Sequence, residues 1–542
     1  MHLWISRTIL FSLCLLWSYF GHAQNSDAQD LLLELTEANL RETAELIPRL
    51  ESAGGEQFLP LFNTLLAGDL YYEKQSKKLL SISKRDGQYL AIDVLGGNDL
   101  GEVEKSAIKK IRVNNSLRTL LRETIARINL TSQSAEKRLA AAKTMLGDVD
   151  DTSASLIDQR LSVEQDKAVV QALSLAKAIY VTVEGDEVSE RVAAIEQLEG
   201  HLEPEVRVAL SQVLAVDQGG VYTEPSTAVM KAAEKVNAGI AGKIKFYGFV
   251  EQLFFGLSLG SVLLLAAIGL AITFGVMGVI NMAHGEMMML GAYTTFVVQQ
   301  LMPNAIGYSL LVAIPLAFII AGSVGVLIER TVIRFLHGRP LETLLATFGI
   351  SLILQQAVRT IFSPLNRQVI TPDWMSGSWQ INTVLSVTYN RLYILIFALA
   401  LFMLLVTVLK KTSLGLNVRA VSQNRNMAKA IGIKTDRVDA LTFGLGSGIA
   451  GVAGVALSQL TNVGPNLGQS YIIDSFMVVV FGGVGNLMGT LVGAFTLGIA
   501  NKFLEPATGA VLANILILVF IILFIQKRPK GLFPQKGRAA ND

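Results

Sequence analysis

Cysteine is all but missing. Cys14 is the single cysteine in 542 residues, so the chain carries no disulfide framework, no thiolate metal site and no thiol nucleophile beyond that position. Charge is scarce as well. Asp, Glu, Lys and Arg make up 17% of the residues, against about a quarter in an average soluble protein. Proline numbers 13. No Gly-x-x-x-x-Gly-Lys-Ser/Thr phosphate loop occurs anywhere, so the chain has no such site of its own for drawing energy from ATP. The net charge of +2 says little about partners; the placement of the charges says more.

What is present is apolar: 51% of the residues are hydrophobic and 47 are glycine, which marks an integral membrane protein with some soluble portion. The first residues read "MHLWISRTILFSLCLLWSYFGHAQ". Arg7 supplies a positive start, Thr8 to Phe20 an apolar core, and Gly21-His22-Ala23 small residues before a cut. Residues 1–23 are therefore expected to be a secretory signal peptide, which is too short to span with margin. Cys14 lies mid-core without small residues around it, which argues against lipid attachment.

Residues 24–245 are of another character, polar and charged with few prolines. "RTLLRETIARINL" and "VVQALSLAKAIY" place Leu, Ile and Val at helical intervals. "EKRLAAAKTMLG" and "SERVAAIEQLEG" repeat a pattern 53 residues apart; stacked hairpins of the HEAT type and a plain helical bundle both fit that recurrence. "KKLLSISKRDGQYLAIDVLGG" interrupts it with two alternating runs around Asp86-Gly87, the signature of a β-hairpin. The segment shows no catalytic constellation and is expected to be an extracytoplasmic binding or docking domain.

The membrane half begins near Phe246. Between Gln252 and Ile328 the only charged residue is Glu286, and between Ala440 and Asn501 it is Asp474. Runs this long without Lys or Arg require several spanning helices, because backbone polar groups in lipid must be satisfied within the chain. Spans are expected near 251–275, 284–302, 309–329, 342–362, 390–410, 437–460, 471–486, 488–505 and 508–526. The fold class is thus all-α and polytopic, with eight to ten spans. Arg330, Arg334 and Arg339 lie in one loop, and the 411–437 segment holds Arg419, Arg425, Lys429, Lys434 and Arg437. The end "QKRPKGLFPQKGR" adds five basic residues, whereas 303–308 and 461–470 have none. Positive loops stay in the cytoplasm, which places the 531–542 tail inside and, counting back through nine spans, the N-terminal domain outside. Within 411–437, "NVRAVSQNRNMAKAIGI" is expected to form a short helix with Val418, Val421, Ala428 and Ile431 along one side.

One stretch stands out against this apolar background: "VINMAHGEMMMLGAY", with Asn281, His284 and Glu286 inside six positions. His-x-Glu opens the zinc deaminase signature, but there is no cysteine ligand and no second histidine nearby. General acid–base catalysis lacks a nucleophile around it. Two readings stay open. The three residues cap a helix start, with Glu286 in its first turn at the positive end of the dipole; or a broken helix borders a solute pathway, where intramembrane ionisable groups normally face a cavity or partner. Tyr293 and Gln355 join them as candidate pathway residues. "FGGVGNLMG" and "GLGSGIAGVAG" carry glycines at spacings that let helices approach closely.

Taken in order, "GVMGVINMAHGEMMMLGAY", "RAVSQNRNMAKAIGIKTDRVDALTFGLGSGIAGVAGVAL", "DSFMVVVFGGVGNLMGTLVGA" and "KRPKGLF" resemble the branched-chain amino acid type permeases of ABC importers, over roughly Phe249 to Phe533. Within that family the sequence is most similar to the urea permease subunits. The resemblance implies a bacterial inner-membrane permease for urea, with no enzymatic activity, cofactor, metal or nucleic acid of its own. It also implies a second homologous permease chain, two cytoplasmic ATPase subunits and a periplasmic solute-binding protein. It makes 411–437 the segment that couples to the ATPase. Arg419, Ala420, Ala430, Gly432 and Asp436 fit the coupling pattern, with Arg425 beside them. Other amino acid or amide permeases, a self-sufficient channel or carrier, and a sensor are the alternatives; a sensor would need a cytoplasmic output domain, and the inward loops are short.

Overall fold

The computed structural model describes residues 28–85, 88–147, 149, 151–217 and 219–533. The expected signal peptide (1–23) and the end of the basic tail lie outside them. The chain divides at Lys243/Ile244 into two compact units.

The first unit opens with helices α1 (residues 28–37), α2 (Leu40–Gly54) and α3 (Leu59–Ala67). Asn39 starts α2 through a capping box: its side chain accepts from the Arg41 and Glu42 amides while Glu42 accepts from the Asn39 amide. Five strands follow: β1 (Leu70–Glu73), β2 (Leu79–Arg85), β3 (Gln88–Asp93), β4 (Asp99–Glu102) and β5 (Ile108–Lys110), in the order β4-β3-β2-β1-β5. All neighbours are antiparallel, and β2 and β3 form the expected hairpin with Arg85 opposite Gln88. One sheet face puts Leu70, Tyr72 and Leu79 into the core with Leu46, Leu50, Leu61 and Leu65. The other gathers Leu80, Ile82, Ala91 and Ile108 into a smaller cluster.

Helices α4 (Asn115–Leu130), α5 (Ala135–Met145), α6 (Asp151–Leu161), α7 (Lys167–Glu184), α8 (Val188–Gln197) and α9 (Pro204–Val213) complete this unit. The two matching sequence segments are α5 and α8, and both pack against α7. Glu164, nearly inaccessible, accepts from Arg138 Nε and Nη2 at 2.7 and 2.8 Å and from Arg160 Nε at 2.9 Å. The Arg138 guanidinium beside it holds its carboxyl well below the usual carboxylate range. A carboxyl depressed in the folded state adds stability above its unfolded value, about 4.3 for glutamate, and that contribution is lost as pH falls through the folded value. Glu164→Gln leaves two arginines without their anion, one of them nearly buried. The expected cost is about 3 kcal/mol, a drop of about 6–12 °C in melting temperature for a unit of this size. Thermal unfolding at neutral pH measures it, and an unchanged midpoint contradicts it.

Helix α10 (Thr227–Met277) carries the chain into the second unit. There α11 (His284–Leu301), α12 (Ile306–Thr331) and α13 (Pro340–Phe362) are followed by a hairpin of β6 (Ser378–Gln380) and β7 (Ser386–Thr388). Then come α14 (Tyr389–Lys411), the short α15 (Ser413–Gln423) and α16 (Arg425–Ala430), α17 (Thr435–Leu457), α18 (Leu467–Gly482), α19 (Leu487–Thr508) and α20 (Ala510–Lys527). Among the described residues seven helices are long and apolar enough to cross a membrane: α10, α12 with its preceding turn, α13, α14, α17, α19 and α20. Nine spans were expected. The other two expected positions are helices as well, but α18 has 16 residues, about 24 Å of rise against a hydrocarbon core of about 30 Å. Helix α11 has 18 residues and spends several on polar and glycine positions.

Helix α17 is the most buried of these helices and packs against α11 and α12. Its small residues are the reason. A Cβ at Gly454 would lie 1.9 Å from the Met288 carbonyl oxygen, and one at Gly291 on α11 would lie 1.8 Å from the Gly451 oxygen. The backbones touch directly. By contrast α12, α13, α14 and α20 present Ile319, Ile353, Met403 and Phe520 outward, as helices do when lipid or an apolar partner covers them.

Candidate functional site

Helix α10 ends at Met277, and the chain then breaks for six residues before α11. Gly278 adopts φ +65° at the break, a left-handed conformation that glycine takes without strain. Asn281 stabilises the turn, its side-chain oxygen accepting from the Ala283 amide at 3.0 Å. The polar triplet of the sequence therefore opens a helix inside the protein: Asn281, His284 and Glu286 are each at most 1% exposed.

The three do not act as one group. His284 points back to α10, where Nε2 lies 3.0 Å from the Ala266 carbonyl oxygen; that geometry requires the proton on Nε2. Glu286 faces α13. Its Oε1 accepts from Ser351 Oγ at 2.9 Å and from Gln355 Nε2 at 2.8 Å. Tyr293 sits two turns further along α11, its ring 4.8 Å from that of Phe362, and makes no bond to the Glu286 group. The structure thus unites Glu286 with Gln355, adds Ser351, and leaves His284 and Tyr293 apart. Among the described residues Glu286 Oε2 and the Tyr293 hydroxyl are buried without a hydrogen-bond partner, a state that costs about 1–3 kcal/mol for each such group.

Ser351 belongs to a pattern. Thr343, Thr347, Ser351, Gln355 and Arg359 recur every four residues along α13, and the first four are buried. Such an i, i+4 ridge inclines across a helix and follows a neighbour that crosses it. Thr347 Oγ1 accepts from the Met282 amide in the break at 3.2 Å. Arg359 Nη2 donates to Asn466 Oδ1 at 2.7 Å. A polar line therefore runs the length of α13, from the Arg339 turn to the loop before α18, with Glu286 midway. Gln356, its side chain turned out, is exposed.

The basic segment 411–437 is two helices rather than one. Asn424 ends α15 and caps α16, accepting from the Met427 amide at 2.9 Å. The break changes the register. Val418, Val421 and Ala428 turn inward as expected, but Ile431 is 68% exposed; Val438 and Ile433 take its place in the cluster. Helix α16 closes with Gly432 at φ +89°, the Ile433 amide bonding the Ala428 oxygen and the Gly432 amide the Lys429 oxygen, a Schellman turn that calls for glycine. Arg425 pairs with Asp439, and Asp436 with Arg334 at 2.8 Å. Arg419 is exposed and donates to the Leu409 carbonyl oxygen at the end of α14. Ala420 is half-buried and Ala430 exposed. Leu416, Met427 and Ile431 leave an apolar surface on this segment.

Residues 252–525 match the family model described as "Branched-chain amino acid transport system / permease component". Among curated proteins the chain is similar to the high-affinity branched-chain amino acid transport system permease protein LivH of Escherichia coli. That match is 33% identical over 298 residues, covering 53% of this chain and 96% of the relative. It is 30% identical, over the same shares, to the corresponding protein BraD of Pseudomonas aeruginosa. A probable LivH of Methanocaldococcus jannaschii matches at 26% over 283 residues, 50% of this chain and 88% of that protein. No solved structure matches. The family match starts after the first unit ends.

Proposed function

The chain belongs to the permease family of branched-chain amino acid transport systems, and from that premise we propose that it is the membrane permease of an ATP-driven importer for urea. The buried polar ridge of α13 against α11, with Glu286 at its centre, is the observation that carries the pathway. A membrane protein places such groups inside its helices where a polar solute must pass, and Glu286 Oε2 and the Tyr293 hydroxyl await N–H and O–H partners there. Urea is a neutral planar amide and needs donors and acceptors rather than a fixed counter-charge. Branched-chain amino acids are the second reading, favoured by the printed names of the relatives.

Energy comes from outside the chain. The assembly would hold two cytoplasmic ATPase subunits, and the segment 411–437 would dock on one of them through Arg419, Met427 and Ile431, with Ala420, Gly432 and the Arg425–Asp439 and Asp436–Arg334 pairs bracing it. A second homologous permease completes the membrane part, and a periplasmic binding protein delivers the solute. The first unit would then lie on the periplasmic side of the inner membrane, as a docking module.

Uptake of labelled urea against labelled leucine by vesicles holding the full set decides the solute. In the same assay Glu286→Ala, which strands Gln355 and Ser351, is expected to lower uptake about tenfold, the loss of one hydrogen-bonded charged group. Wild-type rates in that variant would exclude Glu286 from the pathway.

A further inference from the structure

A cavity of about 570 Å³ lies beside the ridge, between α10, α18, α19, α20 and the loop after α17, at the end of α17 away from the basic segment. Its wall is unlike a surface made for lipid. Asn501 and Asn514 bond to each other across it, and Lys502 pairs with Glu505. Asp474, from α18, adds a carboxylate that has neither a hydrogen bond nor an ion pair among the described residues. Two of the three charged side chains neutralise each other, which leaves one acceptor anion facing the space. An uncompensated carboxylate among apolar helices is costly, and functional groups are the usual reason for keeping one.

The cavity also adjoins the ridge. Asn466 lines it and at the same time accepts from Arg359, the outermost member of the α13 line. At the second residue of α18, the Gly468 backbone meets the start of α11, where a Cβ would lie 2.9 Å from the Glu286 amide nitrogen. Leu467 and Ser470, on either side of that contact, line the cavity, so the cavity wall and the Glu286 segment meet at Gly468.

We propose that this cavity is a solute-binding vestibule for small molecules that present N–H donors, an amide or an ammonium, with Asp474 as the acceptor and the Asn501 and Asn514 amides beside it. It rests on the permease reading above and adds the place where the solute is held before it reaches the ridge. The charge pair and the amides keep the space hydrated and polar, and Asp474 selects donors over acceptors.

Cysteine scarcity makes the test direct. With Cys14 replaced by Ser, Asn462→Cys and, separately, Ser470→Cys, which line the cavity without holding the solute, are introduced into the full chain in vesicles and labelled with a charged methanethiosulfonate reagent. Both positions are expected to label, and urea or leucine is expected to slow the reaction; protection by urea identifies the amide, protection by leucine the ammonium. Asp474→Asn, in the assembled importer, is expected to raise the half-saturation concentration about tenfold, as removal of one charge-assisted hydrogen bond does. Absence of protection at both cysteines, or an unchanged half-saturation concentration in Asp474→Asn, overturns the vestibule. Failure of the wild-type assembly to move either solute would instead sink the permease reading, since solute protection is read without transport.

Discussion

Arg419→Glu is expected to cut solute uptake about thirtyfold or more while ATP hydrolysis persists and no longer responds to the solute-loaded binding protein. Two effects add. Arg419 holds the Leu409 carbonyl at the end of α14, so its loss frees the hinge into α15. Its exposed position beside the apolar Leu416 puts a reversed charge into the proposed docking surface, where a mismatched charge costs several kcal/mol. Arg419→Gln separates the two, because it keeps a donor for Leu409 without the repulsion. Uptake measured beside ATPase activity in the same vesicles reads the uncoupling directly. Normal uptake in Arg419→Glu would remove this segment from the coupling role.

The second large effect is structural. Gly454→Val is expected to abolish accumulation of folded chain in the membrane. The obstacle is a backbone carbonyl at 1.9 Å from the new Cβ, and neither α11 nor α17 has a side chain to move aside. Insertions into packed cores usually cost about 1–3 kcal/mol; a clash between two backbones belongs to the rarer class above about 4 kcal/mol. Gly349→Ala on α13 is the control, since a Cβ there meets nothing within 4 Å and alanine is the better helix former by about 1 kcal/mol. Normal levels of the Gly454→Val chain after membrane extraction would show that α11 and α17 are not locked as described.

These cases mark what the sequence disclosed. Helices announce themselves by long apolar runs: the spans expected at 342–362 and 390–410 appear as Pro340–Phe362 and Tyr389–Lys411. The β2–β3 hairpin was legible from alternation around a two-residue turn, whereas β4 ("DLGE") and β5 ("IKK") are short and charged and owe their strand state to neighbours. Asn281, Glu286 and Gln355 were visible as polar exceptions in apolar surroundings. Their pairing was not, because it depends on how α11 crosses α13. Ser351 and Thr347 went unnoticed since single hydroxyls are common in membrane helices; their four-residue spacing with Gln355 and Arg359 was the available signal. Ile431 was misplaced because Asn424 restarts the helix and resets its register. Asp474 stood out as the one charge between Ala440 and Asn501, but the cavity it lines could not be read from sequence, because α10, α19 and α20 supply the other walls.

The central claim is that this chain provides a passage and takes its energy from nucleotide-hydrolysing partners. Purified chain alone, reconstituted in sealed vesicles with ATP and an imposed proton or sodium gradient, is the most direct measurement. No accumulation of labelled urea or leucine is expected until the ATPase subunits, second permease and binding protein are added, after which uptake requires ATP. Concentrative uptake by the chain on its own would contradict the account.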